Sequence, residues 1–467
     1  MGRIGWAVGL AFWGMSGLWV EAGPPPIDRP WPPDPKRYEP VGREVAPGLR
    51  IGDTVDEKNA DLAKDLLPPE IYAHYRKGEY RNDVASWPTG LIHWDHSFEE
   101  ATRENTTRLD VDEHATIVER ATGKQPDYVY GIPFPKLDAN DPKAGVKAVW
   151  NQFHNYWNVG GFHYHALIVW LSSTAKDRES MQDVYFAFYE NQSALHRLPN
   201  PGRYEWQSLS VSLTPADMQG TAALVFRYLD PERRDAVWTY VPALRRVRAV
   251  SPSNRSDGFL GSDLSQDDGH FFDAKPQDFT WKTIGMREGF RISEPYSIRG
   301  AATSAAYQAD TGGWRSIWTK GAKVAGYAMP GWTGVAWAPT DGVLTKRKFW
   351  VVEGVPKDRY YLFGRIELWI DAESWIGAWA RKFSWTGELL NTYQVNGYLN
   401  APALRDGMPE VEWIWTNEGA WQCAENLKAG RATLAGIRAD PTGLFDRRVK
   451  LNPERTFDLQ ALSRLGK

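Results

Sequence analysis

Residues 365–399 carry the clearest structural pattern in the chain and read RIELWIDAESWIGAWARKFSWTGELLNTYQVNGYL. In the first seven positions, Ile366, Leu368 and Ile370 alternate with Glu367 and Trp369. Because successive side chains of a strand point to opposite faces, this period of two predicts a β-strand.

The rest of the stretch repeats the pattern after short turns. Residues 376–385 form a second alternating run, a turn at Thr386 and Gly387 follows, and residues 388–399 run back. Connections this short join neighbouring antiparallel strands. The three segments therefore predict an antiparallel meander.

Strand-like runs also dominate the chain between Gly131 and the meander. They are residues 184–190, 205–213, 223–229 and 236–241. In residues 205–213, leucine and valine alternate with Ser208, Ser210 and Ser212, which predicts one apolar and one polar face. The sequence thus predicts an α+β, β-dominated protein with an antiparallel sheet.

Helix patterns are concentrated near the start. Asp56 can cap a short helix that Pro68 ends, and Pro69 can open a second helix that Gly78 ends. A third helix is expected within residues 98–119.

The middle of the chain, residues 251–345, is rich in Gly, Ser and Asp. Its tryptophans are Trp281, Trp314, Trp318, Trp332 and Trp337. We interpret this region as a long loop insertion with short strands that covers one mouth of a curved sheet.

The N-terminus has the layout of an export signal. Arg3 precedes an uncharged apolar run from Ile4 to Val20, and Ala22 completes a V-x-A cleavage pattern. The run is short for a membrane span, which needs roughly 20 residues, and Pro-rich chain follows at once. We expect a cleaved signal peptide at residues 1–22 and export to the periplasm of a Gram-negative bacterium.

We expect two parts in the mature chain. Residues 23–50 contain nine prolines and should form an extended arm, and residues 51–467 should form one β-rich domain. No later segment is long and apolar enough to predict a transmembrane helix.

Composition excludes some classes of protein. The 467 residues carry 55 basic and 58 acidic side chains, a net charge of −3, which gives no footprint for nucleic acid. The one cysteine, Cys423, rules out an internal disulfide. The 24 Trp, 20 Tyr and 18 Phe suit a lined cavity, a sugar-stacking platform or a wide β core.

Local catalytic motifs are missing from the sequence. There is no G-x-S-x-G elbow, no phosphate-binding P-loop, no H-E-x-x-H and no C-x-x-C pair. Although triads built from distant residues leave no local trace, this argues against an enzyme. No cofactor is expected.

Three histidines in QFHNYWNVGGFHYHA form the best metal candidate: His154, His163 and His165. An H-x-H pair on a strand points both rings to one face, and His154 would be the third ligand. A closed zinc site needs four ligands, and histidines also pack among aromatic side chains. We assign no metal site on this pattern, and metal binding stays open.

Residues 238–268 read WTYVPALRRVRAVSPSNRSDGFLGSDLSQDD and concentrate charge after a strand. The cations are Arg245, Arg246 and Arg248, and the carboxylates are Asp257, Asp263, Asp267 and Asp268. Because guanidinium and carboxylate pair bidentately, one interpretation is a salt-bridged corner. The alternative is a cationic rim for an anionic headgroup or for the acidic surface of a partner.

This stretch resembles the motif of bacterial outer-membrane lipoprotein-sorting-type proteins. Over residues 45–467 the chain resembles the domain-of-unknown-function family DUF1329. The matching positions are Gly131 and Pro133–Pro135, Ala144, Gly145, Trp150 and Asn151, Phe279–Gly285, Asp371 with Trp375, and Phe457–Leu465.

The resemblance implies a fold similar to the lipoprotein carriers LolA and LolB, an unclosed antiparallel barrel with a helical lid around an apolar cavity. It implies no catalytic residues. The greater length and Trp content of this chain put lipoproteins themselves in doubt as cargo.

Our leading hypothesis is a non-enzymatic periplasmic binding or transfer protein for a lipid or another hydrophobic compound, working with an envelope transporter or outer-membrane protein. It requires a hollow that the protein's own side chains do not fill. The candidate ligand-binding residues are Trp238 and Tyr240 as cavity wall, with Arg245, Arg246, Arg248 and Asp263 at its rim.

The alternative function is a glycan-binding or carbohydrate-active envelope protein. Exposed tryptophans such as Trp314, Trp318, Trp332 and Trp337 would stack on sugars, and Asp267 and Asp268 would supply carboxylates. A third possibility is an envelope scaffold whose interior is filled by its own aromatic side chains.

Overall fold

The computed structural model describes residues 38–87, 94–158, 160–251, 255–293, 304–317, 325–399, 417–436 and 445–465. The expected signal peptide, the arm up to residue 37 and Trp318 lie outside these ranges. None of the helices in the described part of the chain has the length and apolar character needed to cross a membrane.

The strands are numbered along the chain. They are β1 Glu44–Ala46, β2 Leu49–Arg50, β3 Thr54–Val55, β4 Asn82–Ala85, β5 Leu109–Val111, β6 Ile117–Glu119, β7 Phe162–Ser172, β8 Lys176–Phe188, β9 Tyr204–Thr214, β10 Ala222–Tyr228 and β11 Ala236–Val241. The series continues with β12 Arg246–Val250, β13 Phe279–Ser293, β14 Ser304–Gln308, β15 Gly313–Ile317, β16 Val343–Pro356, β17 Arg365–Asp371, β18 Gly377–Phe383, β19 Leu389–Leu399, β20 Asn417–Asn426, β21 Arg431–Gly436 and β22 Phe445–Arg447.

Helices are few. They are α1 Pro69–Arg76, α2 His96–Arg108, α3 Ala144–Trp157, α4 Pro453–Thr456 and α5 Leu459–Leu465. Short 3₁₀ helices span Ala60–Leu66, Pro242–Leu244, Phe259–Gly261, Pro276–Asp278 and Gly326–Ala328. The two helices expected between Asp56 and Gly78 are present, the first as a 3₁₀ helix, and the third expected helix is α2.

The predicted meander is confirmed. Strand β17 pairs with β18, and β18 pairs with β19, all antiparallel. Ile366, Leu368 and Ile370 share one face, and Trp369 lies on the other, but both faces are buried. The sheet therefore carries covering layers on both sides.

The main sheet has the lateral order β12-β11-β10-β9-β8-β7-β21-β20-β19-β18-β17-β16-β13. Within the described residues no ladder joins the edge strands β12 and β13, so the barrel is unclosed. A parallel bridge from Ser293 to Gly397 brings one end of β13 back to β19.

One short segment shows how strongly the sheet curves. The His270 ring lies 6.1 Å from that of Phe186 on β8, and the Phe271 ring lies 6.3 Å from that of Tyr393 on β19. These strands are four positions apart in the sheet, about 19 Å if it were flat. The sheet therefore bends around residues 255–279, and the face that contacts them is concave.

The concave face is also covered by α3, whose residues are almost all buried. The helix packs against β13, β16 and β17 in a cluster that includes Trp150, Phe153, Trp206 and Trp350. In the described residues, the expected apolar hollow is thus occupied by α3 and by residues 255–279. This corrects the expectation of an unfilled interior.

The opposite face has two covers. Residues 45–84 and 325–338 pack on it around Trp337, Trp369 and Trp379. Helix α5 packs on β10 and β11 through Ala461 and Leu462.

Two of the elements that were not predicted cover or border the concave face. Residues 144–157, for which no element was predicted, form a helix in which Val146, Val149, Phe153 and Trp157 recur at helical spacing. The middle region contains β13, a strand of 15 residues, which pairs with β16 along its whole length. Exposed polar side chains over its first half hid this strand.

Several residues of the DUF1329 resemblance fix α3 and the chain around it. Both amide atoms of Asn151 bond the backbone of Phe134, at 2.9 and 2.7 Å. Gly145 donates its N–H to Thr283 Oγ1 at 2.7 Å. Gly131 has φ 85°, and a Cβ there would lie 2.6 Å from the Thr102 nitrogen. These positions are explained by packing.

Candidate functional site

A cleft of about 810 Å³ opens between the two lateral ends of the unclosed sheet. One wall comes from β10 and the turn before β11, near the β12 edge, and the other from the start of β13 and the end of β16. Its lining includes Arg227, Arg233, Arg234, Asp235, Arg255, Asp267, Lys275, Gln277, Phe279, Lys357, Tyr360 and Tyr361. The cleft lies where a ladder would have closed the barrel.

The floor of the cleft is a buried ion-pair network. Arg227, 1% exposed at its side chain, donates to Asp235 Oδ2 at 2.9 Å, and Arg255 Nη1 lies 2.8 Å from the same oxygen. Arg255 also pairs with Asp267, and Arg227 lies 3.4 Å from Asp273. Because these side chains are buried, removing one partner would leave a buried charge unpaired, which is strongly destabilising. The network therefore holds residues 255–279 against β10.

The carboxyl groups of the floor differ in acidity. Burial acts to raise the pKa of Asp235, but Arg227 and Arg255 hold it below its ordinary value. Burial raises the pKa of Asp273 to about 6, although both arginines pull it down. Burial likewise raises the pKa of the neighbouring Glu205 to about 7. The negative charge of the floor therefore changes between pH 8 and 5.5.

Lys275 ties the turn of the cleft to its floor. Its Nζ donates to the carbonyl oxygens of Tyr228, Asp230 and Arg233 at 3.2, 2.9 and 2.7 Å. The buried Gln277 Oε1 has no hydrogen-bond partner among the described residues. This side-chain oxygen can therefore accept a hydrogen bond from a ligand.

The rim of the cleft is exposed and carries charge of both signs. Its cations are Arg233, Arg234 and Lys357, and its acids are Glu232, Asp278 and Asp358. Tyr360 is 92% exposed, and Arg233 stacks on Tyr228 at 3.4 Å. A ligand with a hydrocarbon chain and a charged end could therefore contact an aromatic ring and a cationic side chain of the rim at the same time.

The carboxylates Asp267 and Asp268 point to different partners. Asp267 accepts from Tyr361 Oη at 2.9 Å in addition to Arg255, whereas Asp268 forms a buried ion pair with Lys382 on β18. Both are therefore engaged as structural ion-pair partners.

The predicted Arg–Asp corner is not formed as expected. Arg245, Arg246 and Arg248 are exposed, and within the described residues no ion pair links them to the aspartates. Asp263 instead pairs with Arg431 at 3.0 Å, and its N–H donates to Thr433. The arginines lie on the β11–β12 hairpin, whereas Asp263 contacts β21 and Asp267 pairs with Arg255.

The arginine strip, defined as Arg245, Arg246 and Arg248, lies apart from the cleft. The cleft contains the turn at the start of β11, whereas Arg245 and Arg246 follow its end. At about 3.3 Å per residue, the strand separates them by roughly 20 Å. The sequence had placed these arginines beside the cavity.

Trp238 and Tyr240 lie on the face of β11 opposite the concave face. Tyr240 is 5% exposed and packs with Phe457 and Leu462, and the half-buried Trp238 packs against the same cluster. They contact the C-terminal helix region in this arrangement.

The sugar-platform tryptophans are mostly inside the protein. Trp314 and Trp337 are 3% and 2% exposed, and the half-buried Trp332 donates to Val335 O. Rings buried in this way offer no free face to a sugar.

His154 does not join the other two histidines. It lies in α3, its Nδ1 is 3.1 Å from Gly131 O, and burial lowers its pKa to about 3. It is therefore a packed, neutral side chain.

Sequence reasoning missed the central residues of the cleft, namely Arg227, Asp235, Arg255 and Lys275. One signal was present, because Arg227 interrupts the apolar run AALVFRY of a predicted strand. An arginine in such a position is rarely buried unless it is paired.

Comparison with known proteins gives a family match and distant structural similarity. The family model described as protein of unknown function (DUF1329) matches residues 54–463. No curated protein matches the chain.

Three solved structures are similar in part. A candidate outer membrane lipoprotein-sorting protein domain from Vibrio parahaemolyticus is 13% identical, with a TM-score of 0.44, over 69% of this chain and 100% of its own. A DUF1329 family protein from Desulfovibrio piger is 17% identical, with a TM-score of 0.43, over 70% and 100%. A LolA superfamily protein from Nitrosomonas europaea is 14% identical, with a TM-score of 0.35, over 66% and 97%.

Proposed function

Since the chain belongs to DUF1329, a family of unknown function, its role must be inferred from its own site, and we propose that it binds an amphiphilic compound with a hydrocarbon part and an anionic headgroup. Binding would take place in the cleft between the sheet ends and without catalysis. The observation that carries this proposal is the cleft itself, which combines aromatic side chains with exposed cations in a rim that carries charge of both signs.

The size and chemistry of the cleft support this class of ligand. About 810 Å³ lies within the range of small-molecule sites, roughly 300 to 1,000 Å³. Tyr360 and Tyr361 offer apolar contact, and each buried methylene contributes about 0.8 kcal/mol. Arg234 is an exposed cation at the mouth for the headgroup.

The proposal differs from a tunnel carrier because α3 and residues 255–279 occupy the concave face. The hydrocarbon part would lie along the aromatic wall of the cleft. Transfer to or from an envelope transporter or outer-membrane protein would use the arginine strip, whose exposed cations suit an acidic partner surface. The periplasm is the proposed compartment, after cleavage behind Ala22.

Two matched variants test the placement of the ligand. Arg234→Glu should weaken binding of a fluorescent fatty acid about tenfold, or 1.4 kcal/mol, and leave binding of its uncharged methyl ester nearly unchanged. Arg246→Glu in the arginine strip should change neither affinity. Fluorescence titration of the mature protein measures both.

The opposite pattern would overturn the placement: if Arg246→Glu weakens fatty-acid binding and Arg234→Glu does not, the headgroup binds at the arginine strip. Native mass spectrometry of protein purified from the periplasm, with lipid extraction, tests the proposal as a whole. Reproducible absence of a bound apolar compound, together with no uptake of either probe, would refute it.

A further inference from the structure

A His–His–Asp cluster lies on the face of β7 and β8 that points away from the cleft. His163 and His165 alternate on β7 with Phe162 and Tyr164, which belong to the concave aromatic cluster. His165 is directly opposite Asp183 on β8. The antiparallel register therefore brings the carboxylate to both rings.

The ligand atoms already converge. Nε2 of His163 and of His165 lie 2.6 and 3.6 Å from Asp183 Oδ1, and the three donor atoms lie within 4.8 Å of one another. For a tetrahedral ion with bonds of about 2.0 to 2.1 Å, neighbouring donors are separated by about 3.3 Å. The observed separations bracket this value, so small side-chain rotations suffice.

The surroundings orient the rings and leave access from solvent. Tyr185 stacks on His163 with ring centroids 4.0 Å apart and an interplanar angle of 7°. The exposed side-chain fractions of His163, His165 and Asp183 are 18, 33 and 22%.

A further carboxylate on the same face, that of Asp446, is already paired. Asp446 lies opposite His163 on β22 and forms bidentate bonds of 2.7 Å to Arg315. Asp183 is then the single uncompensated charge among the three ligands, and a dication would leave the site with a net charge of +1.

The geometry points to a divalent transition-metal site formed by His163, His165 and Asp183, of the class that prefers imidazole with carboxylate, such as Zn²⁺, Ni²⁺ or Cu²⁺. Three protein ligands leave a coordination position open to water. This site is independent of the cleft and of the ligand proposed for it.

The test is titration of the tag-free mature protein with Co²⁺, followed by its visible d–d absorption. We expect one equivalent to bind with a saturable band that Zn²⁺ displaces and Mg²⁺ does not. His165→Gln keeps the His163–Asp183 contact but removes one ligand, and should weaken binding about 100-fold or more, since loss of an outer-shell partner alone costs 10- to 100-fold.

His114→Gln is the matched control, because His114 is an exposed histidine beside the carboxylate of Glu113. It should bind Co²⁺ as the unchanged protein does. A second readout is Tm, which Zn²⁺ should raise in the unchanged protein and in His114→Gln but not in His165→Gln. Equal Co²⁺ affinity in both variants, or no saturable band, would overturn the site and leave a histidine–aspartate ion pair.

Discussion

Asp371 shows how a single carboxylate holds separate strands together. It accepts two bonds from Arg347 of β16, at 2.8 and 3.0 Å, and lies 3.4 Å from Arg291 of β13, with all three residues buried. Burial acts to raise the pKa of Asp371, but the two guanidinium groups hold it far below its usual range. Removing the charge would take from the buried Arg291 its carboxylate partner and leave Arg347 with Glu373.

Asp371→Asn should therefore lower the free energy of unfolding by about 3 to 5 kcal/mol, measured by urea denaturation at pH 7. Glu373→Gln is the control, because Glu373 pairs with the same Arg347 at 2.8 Å but is more exposed. It should cost less than about 1 kcal/mol. Equal losses would mean that the central pair adds nothing beyond an exposed one.

Glu190 has the opposite character, since burial raises its pKa to about 8. Below about pH 4.5 its carboxyl group is protonated in both the folded and the unfolded chain. As the pH rises toward 8, the unfolded chain loses this proton first, so this group lowers stability progressively.

Glu190→Gln should remove that loss and make the protein roughly 2 to 4 kcal/mol more stable than the unchanged chain at pH 8.5, with little difference at pH 4.5. Urea denaturation at both pH values measures this. Glu113→Gln, at an exposed side chain, should show no such difference. A Glu190→Gln variant that is no more stable at pH 8.5 contradicts the raised pKa.

At the scale of elements, the C-terminal helix α5 is a cover for β10 and β11. Leu462 and Ala461 are fully buried against Tyr240 and Leu224, whereas Leu465, one turn later, is 43% exposed. Packing of α5 on the sheet buries Tyr240, a residue that we had expected from the sequence to line a cavity.

Leu462→Ala should therefore cost about 2 to 4 kcal/mol, and Leu465→Ala less than about 0.5 kcal/mol. Thermal denaturation checks the difference. If the two substitutions have the same small effect, α5 does not stabilise the sheet as this packing requires.

The elements that were predicted correctly are those whose pattern lies within a few neighbouring residues. Strands β11 and β17 begin and end at the predicted residues, because alternation and turn residues define them within a few positions. Helix α3 was missed although its apolar residues recur at helical spacing, whereas the burial of its polar residues such as Asn151 depends on its surroundings. Strand β13 was missed because exposed side chains interrupt its pattern in the first half, and because its partner β16 lies 50 or more residues later in the chain.

At the scale of the molecule, the pH should control the affinity of the cleft. Asp273 and Glu205, with pKa values of about 6 and 7, take up protons as the pH falls from 8 to 5.5. The floor of the cleft then loses negative charge and repels an anionic headgroup less.

A fluorescent alkyl sulfonate, which stays ionised throughout, should therefore bind about three- to tenfold more tightly at pH 5.5 than at pH 8. The double variant Asp273→Asn/Glu205→Gln should flatten this dependence. Weaker binding at pH 5.5 in the unchanged protein would contradict a headgroup near this floor.

The sequence by itself determined the antiparallel, β-dominated architecture, the meander of β17 to β19, and the resemblance to DUF1329, because these depend on local alternation and on residue identity at fixed spacing. It also placed His163 and His165 on one face of a strand. Only the tertiary structure decided that Arg227 meets Asp235, Arg255 and Asp273, that the arginine strip lies apart from them, and that Asp183 completes the histidine pair. These contacts depend on the curvature of the sheet and on the register of its strands. Both set the distances between residues on different elements, and neither can be read from a local sequence pattern.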